Sequence, residues 1–306
     1  MAIRLQESLR AIFYAPFYAT LARNAFAAEG VEVHFVSAPT PGDAARTIMD
    51  GAADVCWGGP MRVMQTYEQI PGCDLICFGE AVTRDPFLLI GRTPRPAFTL
   101  ADLASLRLAT VAEVPTPWMC LQQDLRDAGI DPAQVNRIAD HRINENVAAL
   151  RRGELDVVQV LEPFAASLEA DGAGHVWYAA ATRGATSYTT FYARRATLAT
   201  RHGELTGMVR ALYRTQRWLA GASAEAIADA IARYFHDVPR PILVASCARY
   251  QALGIWGHDP HLPRDGYERL RTSLVSGGFV PEGMPYDIAV DNSLADAVIA
   301  ETQRRE

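Results

Sequence analysis

The sequence predicts an α/β fold made of two like units facing each other across a cleft, and three observations carry that prediction. An apolar stretch that runs through a proline turn into a helix occurs twice. The first copy is Ile12 to Tyr18 with its turn at Pro16, continuing in a helical pattern to Glu29 and stopped by Gly30; the second is Leu108 to Val114, the turn Pro115-Thr116-Pro117, the pattern Trp118 to Ala128, and Gly129. A further pair follows with a similar offset: Gly51-Ala52-Ala53-Asp54-Val55 and Gly153-Glu154-Leu155-Asp156-Val157. In both, glycine ends a helix and aspartate opens a buried strand that runs out into a turn. Strand and helix patterns also alternate through the first two thirds of the chain, the order expected of helices layered on largely parallel sheets.

In the first unit, strand patterns lie at Ile3 to Ile12, Val31 to Ser37, Asp54 to Trp57, Cys73 to Val82 and Phe87 to Arg92, with helical patterns at Pro16 to Glu29, Pro41 to Asp50 and Pro60 to Gln69. Arg92-Thr93-Pro94-Arg95-Pro96 breaks the alternation, because proline restricts its neighbour and cannot continue a ladder. The chain is expected to cross there into a second lobe. That lobe has strands at Leu108 to Ala112, Asp156 to Leu161 and His175 to Ala181, and helices at Pro117 to Ala128, Asn144 to Arg152 and Pro163 to Ala170. Ser187 to Ala193 is β-rich and reads as the return crossing. The expected division is residues 1–92 with 193–306 as one lobe and 93–192 as the other. Helical patterns at Arg201 to Leu219, Ala224 to Phe235, Pro241 to Leu253 and Pro263 to Ser276 give a helical C-terminal region, expected on the outside of the first lobe.

Composition narrows the function classes. With 306 residues and 49% hydrophobic content the chain can bury two cores. A formal net charge of -6 gives no general attraction to nucleic acid or to an anionic membrane. No stretch approaches the roughly 20 apolar residues of a membrane-spanning helix. Lysine is absent from the sequence, which excludes a lysine-anchored pyridoxal phosphate and a lysine base. The five cysteines, Cys56, Cys73, Cys77, Cys120 and Cys247, form no paired framework, so neither a zinc site nor a disulfide scaffold is expected. His258-Asp259-Pro260-His261 lacks a third convergent ligand and reads as a polar loop. No cofactor and no metal are expected. Met1-Ala2-Ile3-Arg4 leads at once into the first strand without a secretory pattern, so the sequence as it stands is expected to be cytoplasmic, or periplasmic if a leader was removed.

Ligands of open α/β sheets bind where strands end and helices begin, because free N–H groups and the positive end of the helix dipole meet there. Four turns qualify: Phe13 to Tyr18, Trp57 to Arg62, Val114 to Trp118 and Leu161 to Phe164. They nominate Tyr14, Phe17, Tyr18, Trp57, Gly58, Gly59, Arg62, Pro115, Thr116, Trp118 and Glu162, with Tyr188 added from the return crossing. The aromatic rings could enclose a flat or apolar body, and Trp57 and Trp118 are expected to face each other across the cleft. Arg62 sits near a helix start, where a cation is poorly placed unless it meets an anionic ligand group. Arg84, Asp85, Glu113, His141 and Arg142 are further charged candidates, and Glu162 could cap the helix that follows it. If the chain is an enzyme, Cys56, Cys120 and His141 are the candidate catalytic residues, Cys120 because a helix N-terminus stabilises a thiolate. No nucleophile elbow, phosphate loop or dinucleotide fingerprint is present.

Across nearly the whole chain these residues resemble the substrate-binding proteins of the nitrate, sulfonate and thiamine-pyrimidine transport group. The match rests on Tyr14-Ala15-Pro16-Phe17-Tyr18, Ala28-Glu29-Gly30-Val31-Glu32-Val33, Gly51-Ala52-Ala53-Asp54-Val55, Phe98-Thr99-Leu100-Ala101-Asp102-Leu103, Gly129-Ile130-Asp131-Pro132 and Gly153-Glu154-Leu155-Asp156-Val157 with Glu162-Pro163. The resemblance implies a type 2 periplasmic-binding-protein fold, two α/β lobes joined by two crossings, with a small aromatic, heterocyclic or anionic ligand between them and an ABC permease as partner in a transport setting. The same superfamily holds the thiamine-pyrimidine synthase, from which this chain departs in having no lysine and no cysteine cluster. It also holds cytoplasmic enzymes resembling aromatic desulfinases and dihydroxyphthalate decarboxylases, which supply the alternative reading. The expectation favours a binding protein whose lobes close on the ligand by hinge motion.

Overall fold

The computed structural model describes residues 1–305. Two five-stranded sheets form the frame. The strands are β1 (Ile3–Glu7), β2 (Val33–Ser37), β3 (Val55–Gly58), β4 (Leu75–Val82), β5 (Leu88–Gly91), β6 (Arg107–Ala109), β7 (Asn136–Ile138), β8 (Val157–Val160), β9 (His175–Ala179) and β10 (Thr189–Arg194). One sheet has the order β2-β1-β3-β10-β4 and the other β7-β6-β8-β5-β9. The repeat seen in the sequence is thus a repeat of topology. In each sheet three parallel strands come first, and the fourth runs antiparallel to its neighbours because it arrives from the other sheet.

The helices are α1 (Ala15–Ala22), α2 (Ala25–Ala28), α3 (Ala44–Met49), α4 (Pro60–Gln69), α5 (Thr116–Asp127), α6 (Ile143–Arg152), α7 (Phe164–Ala170), α8 (Arg195–Thr200), α9 (His202–Gly221), α10 (Ala224–Ile231), α11 (Arg240–Ala252), α12 (Arg264–Ser276), α13 (Tyr286–Ala289) and α14 (Ser293–Arg305). The first expected helix is in fact two, because Asn24 adopts a left-handed conformation (φ 54°) that ends α1 and starts α2. The first strand stops at Glu7, and Ile12 to Tyr14 form a single 3-10 turn leading into α1. β7 was not legible as a strand, being three residues long and fixed only by its pairing with β6.

Sheet membership corrects the expected lobe boundaries. Leu88 to Gly91 pair with β8 and β9, and Thr189 to Arg194 pair with β3 and β4. The chain therefore changes sheets at residues 83–87 and 180–188, not at Arg92 and Ala193. Pro94 and Pro96 terminate the run after β5; the passage itself goes through Asp85 and Pro86. The C-terminal region is also not confined to one lobe. α10 packs on α1 and α14 on α9, but α11 packs on α7 and α12 on α5, so the tail covers helices of both sheets.

The two copies of the Gly-x-x-Asp-Val element are pinned alike. The Arg4 backbone N–H, Nε and Nη2 donate to Asp54 at 2.8, 3.2 and 2.6 Å, and the same three groups of Arg107 donate to Asp156 at 2.9, 3.1 and 3.1 Å. Each aspartate opens a strand (β3, β8) and is held by the arginine of the neighbouring parallel strand (β1, β6), which locks the register of both pairs.

Candidate functional site

The carboxyl ends of the parallel strands in both sheets converge on one cavity of about 1060 Å³. All four turns selected from the sequence reach it, through Phe13 and Tyr14, through Gly59, Met61 and Arg62, through Val114 and Thr116, and through Leu161 to Phe164. Helices α1, α4, α5, α6 and α7 begin at its wall, so the positive ends of their dipoles face the enclosed space. Part of that potential is already answered within the protein: Glu113 accepts the Ile143 N–H at 3.1 Å and Glu145 accepts that of Arg142 at 2.7 Å at the start of α6.

Arg62 is the most informative side chain in this wall. It lies in the first turn of α4, is 9% exposed and forms no ion pair among the described residues; its Nη1 donates to Gln65 Oε1 at 2.7 Å. Burial lowers its basicity from the ordinary value, with the Asp43 carboxylate among the groups acting the other way. A desolvated guanidinium without a carboxylate at a helix N-terminus is a cost that an anionic ligand group would offset.

The surrounding groups are aromatic and hydroxylic. Tyr14 shares a 3.1 Å hydrogen bond with Ser8, and its ring meets Phe13 edge-on at 4.3 Å. Tyr188 is buried against Phe13, centroids 5.9 Å apart, and its hydroxyl has no hydrogen-bond partner among the described residues. Burial raises the pKa of both phenols, so each stays a neutral donor. A side chain at Gly59 would be crowded, since a Cβ there would lie 3.2 Å from the Tyr188 carbonyl oxygen. Glu162, at the opposite end, is fully buried. It caps α7 through the Ala166 N–H at 2.9 Å, as expected, and Oε1 sits 3.1 Å from Arg249 Nη1, near enough to pair but poorly aligned for a hydrogen bond. Desolvation raises its pKa, with Arg249 opposing.

Several expected site residues lie elsewhere, for identifiable reasons. Trp57 is on β3 proper, between β1 and β10, and is fully buried; Phe17 and Phe35 both stack on it, at 4.9 and 5.1 Å, while Tyr18 meets it edge-on at 5.4 Å. The strand leaves the core only at Gly59, two residues later. Tyr18 additionally gives its hydroxyl to the buried Glu7 at 2.6 Å. Gly58 is kept small by neighbours, as a Cβ would meet Tyr192 at 3.1 Å and Ser8 at 3.3 Å. Pro115 takes the N-cap position of α5 and does not border the cavity. Trp118 stands two residues after Thr116, about 200° around the helix, so when Thr116 faces the cavity Trp118 faces away. It packs with Leu121, Leu108 and Leu89 under the Arg137 guanidinium, 4.3 Å from its ring. Trp57 and Trp118 therefore do not face each other across the cleft.

None of the three catalytic candidates borders the cavity. Cys56 and Cys120 are fully buried, and burial pushes both thiols up to about 12, against the thiolate a nucleophile needs. His141 is exposed, one residue outside the wall at Arg142. Sequence reasoning missed the β1–α1 loop at Ser8 to Ile12 and the segment Tyr234 to Val238 between α10 and α11. A strand-end rule that extended to Glu7 could have found the first; the second comes from packing of the C-terminal helices and left no local signal. Among the described residues no group of His, Cys, Asp and Glu could hold a metal ion, and no helix is long and apolar enough to cross a membrane.

Comparison with known proteins places this geometry in context. The NMT1/THI5 like family matches residues 12–226. YtlA of Bacillus subtilis (strain 168), provisionally named a binding protein, is 26% identical over 302 residues, covering 98% of this chain and 90% of YtlA. Among solved structures, the periplasmic aliphatic sulphonate binding protein SsuA from Escherichia coli superposes with a TM-score of 0.78 at 14% identity, covering 95% of this chain and 92% of that one. The desulfurization enzyme DSZB, in a mutant form with biphenyl-2-sulfinic acid, gives 0.72 at 14% identity over 98% of this chain and 100% of its own. The fold is that of the periplasmic binding proteins, as the sequence predicts.

Proposed function

This chain belongs to the NMT1/THI5 like family, and from that membership and the chemistry of its cavity we propose that it is a solute-binding protein of the ABC-transporter type, holding a small aromatic or heterocyclic anion between its two α/β halves. The observation that carries the reading is Arg62: buried, unpaired and set in a wall of Tyr14, Phe13 and Tyr188. The ligand's anionic group would take charge-assisted hydrogen bonds from Arg62 and a neutral one from the free Tyr188 hydroxyl, while its body fills the apolar part of the cavity. The wall is built from both sheets, so a ligand touching both favours the closed arrangement by its differential affinity. In a transport setting the closed form would then dock on a permease. The names of YtlA and SsuA support this reading.

The alternative, a cytoplasmic enzyme acting on an aromatic substrate, draws on the likeness to DSZB. It is disfavoured by the thiols, which all lie outside the cavity wall; burial raises the pKa of Cys56, Cys77, Cys120 and Cys247 and so holds their protons. Titration calorimetry with benzenesulfonate, benzoate and a pyrimidine carboxylate tests the proposal. Saturable binding of at least one, weakened in Arg62→Gln, is expected. Equal binding by the wild type and Arg62→Gln would remove the proposed anchor.

A further inference from the structure

The two stretches by which the chain passes between the sheets are joined by a buried ion cluster. Arg183, on the return stretch, donates Nη1 to Asp85 Oδ2 on the outward stretch at 2.7 Å. Its Nε donates to Asp124 Oδ1 of α5 at 2.7 Å, and its Nη2 to Oδ2 of the same carboxylate. Tyr178 at the end of β9 gives its hydroxyl to Asp124 Oδ2 at 2.9 Å, and the Arg183 carbonyl accepts from Arg269 of α12. The second oxygen of Asp85 accepts the Phe87 N–H at 2.9 Å. The side chains of Arg183, Asp85 and Asp124 are 8%, 0% and 9% exposed.

Three features make this more than a surface pair. Bidentate contact with one carboxylate and a third bond to another use the fixed fork of the guanidinium, which lysine cannot reproduce. Loss of one partner in a buried cluster leaves an uncompensated charge, so the arrangement resists partial opening. It also sits beside the ligand wall: Phe87, Tyr188 and Thr116, the first residue of α5, all border the cavity.

We propose that Asp85, Arg183 and Asp124 form a clasp that makes the two linking stretches move as one hinge and thereby positions Phe87 and Tyr188 in the cavity wall. Arg183 is a positioning residue in this account; it touches no ligand. The consequence for binding rests on the solute-binding reading, but the clasp itself does not, and its test uses the protein without ligand.

Hydrogen exchange measured by mass spectrometry on the wild type, Arg183→Met, Arg183→Lys and Asp124→Asn, with urea denaturation alongside, reads the clasp directly. In Arg183→Met, protection is expected to fall tenfold or more in peptides covering 84–88 and 183–188 while β1 and α9 keep theirs, and Arg183→Lys is expected to recover part of it. Small-angle scattering of the same variant should show a broader distribution of particle dimensions. Unchanged exchange in the linking stretches, or a loss spread evenly over the chain in step with the urea midpoint, would overturn the proposal. If Arg183→Met does not fold, Asp124→Asn, which keeps the Asp85 bond, is judged by the same criteria.

Discussion

The Phe17 and Trp57 rings lie almost parallel, 4.9 Å between centroids and 7° between planes, in the core and not in the cavity wall. Phe17 enters from α1 and Trp57 from β3, so this stack fastens the first helix to the centre of its sheet. Trp57→Ala should therefore act on stability, lowering the free energy of unfolding by about 3–5 kcal/mol, the range for large aromatic truncations in a core. Urea denaturation checks this, and a change below 1 kcal/mol would contradict the core assignment.

Arg62→Ala should weaken an anionic ligand by roughly 10- to 100-fold, the size of one or two charge-assisted hydrogen bonds. Because the side chain has no carboxylate partner among the described residues, its Nη1 bonding instead to Gln65, the unfolding midpoint should hold or rise. Calorimetry on wild type and variant separates the two effects, and a variant with undiminished affinity would place the anion elsewhere.

Cys56→Ser and Cys120→Ser should leave ligand affinity within a few-fold, since neither thiol borders the cavity. What they should change is stability, because a hydroxyl replaces a sulfur packed in an apolar cluster. Thermal unfolding and titration of both variants provide the comparison. Loss of affinity with an unchanged melting temperature in either one would reopen a direct role for that thiol.

Asp54 and Asp156 should each contribute to the acid limb of stability. Both carboxyls sit below the ordinary aspartate value: at Asp54 desolvation, which raises the pKa, is outweighed by hydrogen bonds and charge from Arg4, and at Asp156 the hydrogen bond from Arg107 leads, with desolvation opposing. A depressed folded-state pKa gives stability that is present above the unfolded value and is lost as the pH falls through the folded one. Glu162 works in the opposite sense, because its raised pKa means that protonation relieves a burial cost. Asp54→Asn and Asp156→Asn should flatten the fall of the urea midpoint below about pH 4; a limb as steep as the wild type's in both would show that other carboxylates govern it.

Much of this architecture was legible because the chain repeats itself. The Gly51 and Gly153 elements fixed where β3 and β8 begin, and the rule that ligands meet strand ends selected four turns that all reach the cavity. Which side chain of each turn faces inward was not legible from residue type. Trp57 lies two positions before Gly59, still inside the sheet, and Trp118 lies two residues around a helix from Thr116. Sheet membership of Leu88 to Gly91 is decided by pairing with β8 and β9, which no local pattern near Pro94 encodes. The wall at Tyr234 to Val238 depends on how the C-terminal helices pack, a long-range outcome with no local signature.

The central claim, that the cavity holds a small molecule and gives it back unchanged, is tested most directly by mass spectrometry of what the protein carries. Small molecules released by denaturing protein purified from its native source should include an aromatic or heterocyclic anion, and that compound should be recovered intact after prolonged incubation with fresh protein. Steady conversion to a product, with release of sulfite or carbon dioxide, would contradict the account.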